Sequence, residues 1–131
     1  MRRGDLAKAD KYYGNPCNIK YFVDGAQFIH NLHPDVKFFI FSDDSSWVTE
    51  NLKEIFDAYE AATVDINGSD RGWCDLILMS RCAAQVTSQG SMGKYAALLR
   101  GEINQKEPVI LPGNETSKEW LPRFRNAIIM S

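Results

Sequence analysis

Four consecutive large apolar residues, Phe38–Phe41, constrain the fold of this chain more than any other segment. Three of them are aromatic and one is β-branched, so the run predicts a short interior strand that is covered on both faces. Residues 43–46 have short polar side chains that can cap a helix, and apolar residues recur at helical spacing over residues 47–59. A strand that leads into a helix through a polar turn is half of a βαβ unit. The segment therefore predicts an α/β fold with a parallel sheet.

The other predicted elements fit the same fold class. An apolar stripe predicts a helix over residues 19–32, which ends before His33 and Pro34 because helix continuation is disfavoured before proline. Apolar runs bounded by turn residues predict four further short strands: residues 62–66, 83–87, 107–111 and 127–130. Helical spacing predicts three further helical segments: residues 73–82, 95–99 and 118–124.

Length and composition indicate one globular domain. A chain of 131 residues with 44% hydrophobic and 24% charged side chains can bury one core but is short for two. Its net charge of −2 argues against a general nucleic-acid binder, which needs a basic face. The longest apolar runs are much shorter than a membrane span, and no apolar signal segment opens the chain. We therefore expect a cytoplasmic protein, with peripheral membrane association left open.

The sequence predicts neither a metal centre nor a disulfide framework. The cysteines are Cys17, Cys74 and Cys82, an odd number without close pairing, which indicates reduced thiols. His30 and His33 lie three residues apart, but no third ligand is evident. They are therefore predicted to be surface histidines.

Polar side chains directly follow the apolar strand at Ser42, Asp43 and Asp44. Ligands of open parallel sheets bind at the carboxyl ends of the strands, so these three residues mark the edge where chemistry is expected. Helix capping alone would also explain them.

Two other segments contain groups that suit a phosphate. Arg2 and Arg3, beside Asp5, can hold a phosphate by forked hydrogen bonds, although such a charged start also fits a frayed terminus. Residues 87–93 form a turn of small and hydroxyl side chains before a helix, where free N–H groups favour an anion. A plain helix-capping loop explains this turn equally well, and its spacing is not that of a P-loop. Asp75 lies near the start of a predicted helix, where a carboxylate stabilises the helix dipole without any other role.

Three motifs in a fixed order resemble one known family. They are R-R-G-D at residues 2–5, F-F-I-F-S-D-D-x-x-W at residues 38–47, and D-x-x-L-M-S-x-C at residues 75–82, which runs into T-S-Q-G-S-M-G. Together they resemble the α-1,2-fucosyltransferase family, whose members move L-fucose from GDP-fucose onto a galactose hydroxyl. The likeness extends from residue 2 to residue 111 and is most specific in the second and third motifs.

The resemblance implies a three-layer Rossmann-like parallel sheet with helices on both faces, corresponding to the C-terminal, donor-binding half of a GT-B-type glycosyltransferase. Residues 1–131 would then form a single GDP-fucose-binding domain, truncated at its N-terminus and without the half that contacts the acceptor. The implied partners are GDP-fucose and a galactose-containing glycan acceptor.

The resemblance also implies roles for the matching polar residues. Arg3 and Arg2, grouped with Asp5, correspond to the catalytic residues that contact the diphosphate and stabilise the departing GDP. Asp75 corresponds to the carboxylate that binds the guanine edge. The residues implied to lie beside the nucleotide are Ser42, Asp43, Asp44, Gln89, Gly90, Ser91 and Met92.

The implied reaction is inverting and uses no metal and no cofactor besides the donor substrate. Negative charge grows on the departing diphosphate as the fucose carbon becomes oxocarbenium-like, and arginine forks with a helix N-terminus can stabilise that charge. Adjacent carboxylates beside a diphosphate also fit a magnesium ion, so a metal-dependent donor site at Asp43 and Asp44 stays an alternative.

This sequence departs from the family pattern in two places. The family carries H-x-R-R-x-D, and here the position of the histidine would precede Met1. Gly93 and Lys94 stand where the family usually has aromatic residues. Both differences concern catalysis more than nucleotide binding. The missing histidine and the missing acceptor half support an alternative in which the chain is a non-catalytic nucleotide-binding α/β module.

Overall fold

The computed structural model describes residues 18–42, 45–64, 72–88, 92–113 and 115–130. Helices and strands alternate along these ranges. The helices are α1 (Ile19–Leu32), α2 (Ser45–Asn51), α3 (Lys53–Ala58), α4 (Gly72–Ser80), α5 (Met92–Leu98) and α6 (Glu115–Trp120), with 3₁₀ turns at Glu102–Asn104 and Leu121–Arg123. The strands are β1 (Phe38–Phe41), β2 (Ala61–Val64), β3 (Gln85–Val86), β4 (Val109–Pro112) and β5 (Ala127–Met130). None of the helices in these ranges combines the length and the apolar character of a membrane span.

The described strands form two parallel sheets. β1 pairs with β2, and Phe38 lies opposite Ala61. β4 lies between β3 and β5, so Val109 has Gln85 on one side and Ala127 on the other. Parallel strands separated by helices confirm the predicted α/β fold. A single Rossmann-like sheet is not confirmed, because β1 and β3 are not hydrogen-bonded neighbours among the described strands.

α1 packs against both sheets. Its buried residues recur at helical spacing and are Tyr21, Phe22, Gly25, Ala26 and Ile29. All of them except Gly25 share one hydrophobic cluster with Ile40 of β1 and Ile110 of β4. Gly25 lets the helix approach β3 closely, because a Cβ there would lie 2.9 Å from Cγ1 of Val86. α1 therefore joins the two sheets on one face.

Contacts at the two ends of α1 give its direction relative to the strands. Near its start, the hydroxyl of Tyr21 lies 2.5 Å from the carbonyl oxygen of Thr87, which follows β3, and 3.1 Å from that of Ile110. At its end, Nε2 of His33 lies 2.7 Å from Oε2 of Glu107, which precedes β4. α1 thus runs antiparallel to β3 and β4. β1 turns back along α1 after a short loop, so β1 runs in the same direction as β3.

The two faces of β1 contact different helices. Ile40 packs under α1, whereas Phe41 packs with Met79 of α4 and Ala96 of α5. Phe39, in contrast, is 53% exposed. The prediction of a strand covered on both faces is therefore confirmed for the second half of β1 and wrong for its first half. The physical reason is that Phe39 projects to the same face as Phe41, and the apolar cluster with Met79 and Ala96 on that face includes Phe41 but not Phe39.

Most element boundaries lie close to the predicted ones, and the differences have local causes. The predicted helix over residues 47–59 is divided into α2 and α3 at Leu52, whose backbone (φ −107°, ψ 25°) departs from helical values. The predicted strand over residues 62–66 begins at Ala61, and its last two residues lie outside the described ranges. β4 includes Pro112, which was predicted as a stop, because a proline is tolerated where a strand ends.

Candidate functional site

Buried polar residues mark the carboxyl ends of β1 and β3. Ser42 follows β1, Thr87 and Ser88 follow β3, and all three are buried. Because β1 and β3 run in the same direction, these residues lie at one edge of the fold. Ligands of parallel α/β proteins bind at this edge.

Two charged side chains are buried at the starts of the helices beside this edge. Asp75 lies in the first turn of α4 and is 5% exposed, while Lys94 lies in the first turn of α5 and has no exposed surface. Burying a carboxylate or an ammonium is costly unless it has partners, and both of these residues have interaction partners. The ammonium contributes positive charge to the edge, and the carboxylate contributes two oxygens that accept hydrogen bonds.

Packing of α4 and α5 brings these charged residues close to the end of β1. Phe41 of β1, Met79 of α4 and Ala96 of α5 form one buried cluster. Asp75 precedes Met79 by about one helical turn, and Ser42 directly follows Phe41. We call five of these residues the carboxyl-edge cluster: Ser42, Asp75, Thr87, Ser88 and Lys94.

Hydrogen bonds fix the segment that follows β3. The ammonium of Lys94 donates to the carbonyl oxygen of Ser88 at 3.1 Å. The backbone N–H and the hydroxyl of Thr87 donate to the carbonyl oxygen of Ile110 at 3.0 and 3.1 Å. Gly93 lies beside the residue that follows β3, and a Cβ at this position would be in ordinary van der Waals contact with Cγ2 of Thr87 at 3.4 Å. α5 and β4 together therefore position the start of the Gly/Ser turn.

Arg100 anchors the segment that follows α5. It is 4% exposed, and its guanidinium donates to the carbonyl oxygens of Ala83, of Ala97 at 2.9 Å and of Glu107 at 3.1 Å. These carbonyls precede β3, lie in α5 and precede β4, respectively. Burial lowers the pKa of Arg100, and the charge of Glu107 opposes that shift. The guanidinium holds α5 against two strands, and α5 in turn carries Lys94.

Three of the predicted site residues lie in the described ranges: Ser42, Asp75 and Met92. Ser42 and Asp75 belong to the carboxyl-edge cluster, and Met92 packs on the neighbouring apolar cluster of Phe41. The other predicted site residues lie outside the described ranges: Arg2, Arg3, Asp5, Asp43, Asp44, Gln89, Gly90 and Ser91. Their roles stay predictions.

Sequence analysis missed Lys94 as a residue of this edge and treated it only as a departure from a family pattern. The available signal was a lysine in the first turn of a helix directly after a Gly/Ser turn. This sequence pattern does not show whether the lysine side chain points into the protein or toward solvent. Only the packing of α5 shows that the side chain is buried beside Ser88.

The described residues contain no group of three or more His, Cys, Asp or Glu side chains that could hold a metal ion. The ring of His30 contacts the ring of Tyr59, with centroids 4.8 Å apart. His33 pairs instead with Glu107. The two histidines that lie three residues apart in the sequence thus have different partners.

The fold and the carboxyl-edge cluster define an α/β protein with a polar site where its parallel strands end. The chain belongs to Glycosyl transferase family 11, whose family description matches residues 1–118. It is also similar to an alpha-1,2-colitosyltransferase from Escherichia coli, with 28% identity over 103 residues. That match covers 76% of this chain and 34% of the relative, so the chain spans about a third of the relative's length. No solved structure matches the chain. The family resemblance predicted from three sequence motifs is confirmed.

Proposed function

We propose that this chain is the donor-binding part of a fucosyl-type glycosyltransferase and that it binds GDP-fucose at the carboxyl edge. One observation supports this site above others. Buried polar groups from separate segments, Ser42, Asp75 and Lys94 among them, converge at the ends of parallel strands in a member of Glycosyl transferase family 11. This edge is where α/β domains bind nucleotides.

Asp75 is proposed to bind the guanine base. Guanine presents N–H donors at N1 and N2 on one edge, and an ionised carboxylate can accept from both. Asp75 is buried at the start of α4, and hydrogen bonds are stronger where water is excluded. Adenine lacks this pair of donors, so the interaction would select guanosine nucleotides.

Arg2 and Arg3 are proposed to bind the diphosphate, together with the turn that contains Ser91. The described residues on either side of residues 89–91 support this role. Lys94 donates to the carbonyl oxygen of Ser88, which directly precedes these residues in the sequence, and the ammonium adds a positive charge nearby. Positive charge at this point favours an anionic ligand.

The proposed reaction is an inverting transfer that needs no metal ion. A galactoside hydroxyl attacks the anomeric carbon of fucose while the bond to the β-phosphate oxygen breaks and GDP leaves with the electron pair. Arg2 and Arg3 stabilise the charge that grows on GDP, and Asp5 is proposed to accept the hydroxyl proton. The half that contacts the acceptor is proposed to lie outside residues 1–131.

Two specific observations favour alternatives to parts of this proposal. The name of the bacterial relative adds an activated colitose as a second candidate for the donor. Gly93 and Lys94, which stand where the family usually has aromatic residues, favour a nucleotide-binding module without catalysis of its own.

Calorimetric titration of the folded chain with GDP, GDP-fucose, guanosine and ADP tests the donor site. We expect GDP to bind with a dissociation constant of about 1 μM, or about −8 kcal/mol, and ADP to bind much more weakly. Absence of heat with both GDP and GDP-fucose, while circular dichroism shows a folded protein, would remove the donor-site proposal.

Matched variants distinguish residues that bind the base from residues that bind the phosphates. Asp75→Asn should weaken GDP and guanosine binding alike, by about tenfold or more, because a hydrogen bond to a charged group contributes about 1.5–3 kcal/mol. Arg3→Ala should weaken GDP binding only. Asp57→Asn, an exposed carboxylate on α3, is the control and should leave both affinities unchanged. Equal binding by the Asp75→Asn and Asp57→Asn variants would exclude the base role.

A transfer assay distinguishes a chain that catalyses transfer from one that only binds the nucleotide. Radiolabelled GDP-fucose is incubated with lactose and the chain, and transfer is compared with that from GDP-linked colitose. Transfer of fucose supports the primary proposal, transfer of colitose alone supports the second donor, and binding without any transfer supports the non-catalytic module.

A further inference from the structure

Trp73 is a large aromatic residue at the start of α4, and most of its surface is exposed. It is 63% exposed, whereas Trp120 is 8% exposed. Among the aromatic contacts of the described residues, Trp47 packs on Phe22 and Trp120 packs on Tyr95, but Trp73 packs on no other ring. Tryptophan combines a large apolar surface with one polar N–H group, and it is enriched where proteins bind partners. Trp73 is therefore a candidate binding residue.

Trp73 lies beside the carboxyl-edge cluster. It precedes Asp75 by two residues in the first turn of α4. Side chains of an α-helix lean toward its N-terminus, so both side chains lean toward the edge at which α4 begins. Two Cα atoms at this spacing in a helix are about 5 Å apart. The exposed indole and the buried carboxylate therefore belong to one small region of the molecule.

The two side chains leave α4 in different directions. Each residue of an α-helix advances about 100° around the axis, so Trp73 and Asp75 are about 200° apart. They therefore approach a ligand that lies over the start of the helix from different sides. A planar heterocycle needs a flat apolar group against its face and hydrogen-bonding groups at its edge. The indole can supply the first contact and the carboxylate the second.

We infer that Trp73 is the stacking platform for the purine base of the donor nucleotide, while Asp75 binds the edge of that base. This inference rests on the proposed function, which assigns the base to Asp75, and it adds the residue that contacts the face of the ring. Stacking on an aromatic side chain contributes to the affinity for any base, because every base has a π-face. The edge contact distinguishes one base from another. Trp73 thus sets how tightly a nucleotide binds, and Asp75 sets which nucleotide is preferred.

Ile77 provides a matched comparison on the same helix. It lies one helical turn after Trp73 on the same face of α4 and is 45% exposed. An exposed apolar stripe on a helix can also be a contact face between two protein molecules. Such a face would use both residues, whereas a base at the carboxyl edge reaches only the residue in the first turn. Replacing Ile77 therefore distinguishes a nucleotide site from a protein contact.

Tryptophan fluorescence and calorimetry on the 131-residue chain test the inference. A stacked nucleobase quenches indole emission, so GDP and guanosine should quench the emission of the exposed indole, and pyrophosphate should not. Trp73→Ala should weaken the binding of GDP and of guanosine by about tenfold. Trp73→Phe keeps an aromatic face, so it should restore most of the affinity while removing the quenching. Ile77→Ala should leave both affinity and quenching unchanged.

The ratio of the GDP affinity to the ADP affinity distinguishes the roles of the two residues. Trp73→Ala should leave this ratio unchanged, because the loss of stacking weakens both nucleotides alike. Asp75→Asn should lower the ratio, because the edge contact that favours guanine is weakened. A general disturbance of the fold by Trp73→Ala would not give an unchanged ratio together with recovery of affinity in Trp73→Phe.

Each contrary result identifies which assignment fails. Equal GDP affinity in Trp73→Ala and in the unmodified chain, with weaker binding by Asp75→Asn, would overturn the stacking role and leave the proposed function standing. Quenching by ADP and not by GDP would support the stacking role and overturn the guanine assignment. Absence of both heat and quenching with every nucleotide, in a chain that circular dichroism shows to be folded, would overturn both. A dimer that Trp73→Ala and Ile77→Ala both dissociate, without any change in GDP affinity, would make the stripe a contact between copies and overturn the stacking role.

Discussion

Replacement of Arg100 by methionine tests whether one buried guanidinium holds α5 against the strands. Methionine keeps most of the apolar stem and removes only the hydrogen-bonding head. Three carbonyl oxygens lose a donor: those of Ala83, Glu107 and Ala97, the last of which also accepts from the backbone N–H of Arg100 at 3.4 Å. The variant therefore separates the polar contribution of this residue from its packing.

The expected magnitude follows from two opposing effects. Hydrogen bonds to a charged group contribute about 1.5–3 kcal/mol each, so three of them suggest about 4–9 kcal/mol. Removing the guanidinium also removes the cost of burying its charge, which is several kcal/mol. We expect a net loss of about 3 kcal/mol in the free energy of unfolding, close to the effect of breaking other buried charged contacts.

Urea unfolding followed by circular dichroism measures this loss. With a denaturant dependence of about 2 kcal/mol per molar, the midpoint should fall by about 1.5 M. Arg123→Met is the matched control, because Arg123 is exposed and its guanidinium carbon lies 4.9 Å above the ring of Trp120. That contact contributes about 0.5–1 kcal/mol. A midpoint for Arg100→Met within about 0.5 M of the unmodified chain, or equal losses in the two variants, would refute this reasoning.

Three further predictions concern α1 and one thiol. Tyr21→Phe should lower the free energy of unfolding by about 1–2 kcal/mol, because its buried hydroxyl bonds to carbonyl oxygens in two segments; an unchanged urea midpoint would contradict this. Gly25→Ala should cost about 1–3 kcal/mol through overpacking against Val86, whereas Gly101→Ala, whose Cβ would have open space around it, should be nearly neutral; equal thermal midpoints for the two variants would exclude the close approach. Burial raises the pKa of Cys82 above its ordinary value of 9.0, so its contribution to stability is complete below pH 9.0 and lost as the pH rises through the folded pKa. The unmodified chain should therefore lose more stability than Cys82→Ala between about pH 8 and pH 10 in urea titrations, and parallel pH profiles would contradict this.

Elements with a local signal were predicted well from the sequence. α1 spans residues 19–32 as predicted, because an apolar stripe marks its buried face and Asn18 caps it, accepting from the N–H of Tyr21 at 2.8 Å. β5 spans the predicted residues 127–130. The division into two sheets was not predicted, because pairing between strands depends on contacts far apart in the chain. No residue pattern within β1 or β3 indicates that the two lack a common neighbour.

The candidate site shows the same difference between local sequence signals and contacts that depend on packing. Ser42 and Asp75 were predicted as site residues because a strand end and a helix start are visible in the sequence; both are buried, and their binding roles stay predictions. Lys94 was missed, because its burial arises from the packing of α5 against α4 and β3. A lysine is usually a surface residue, so composition gave no reason to place this one inside.

The contacts of α1 have a consequence for how the chain is made. Tyr21 meets Thr87 and Ile110, which are 66 and 89 residues further along. A ribosome adds about 5–20 residues per second, so this helix is synthesised on the order of ten seconds before its partners. Before then its apolar stripe meets only nearer segments such as β1, whose Ile40 belongs to the same cluster, and contacts so distant in sequence form slowly. The stripe is therefore only partly covered while the chain is being made, and a holding chaperone would have reason to bind α1 until β3 and β4 are synthesised.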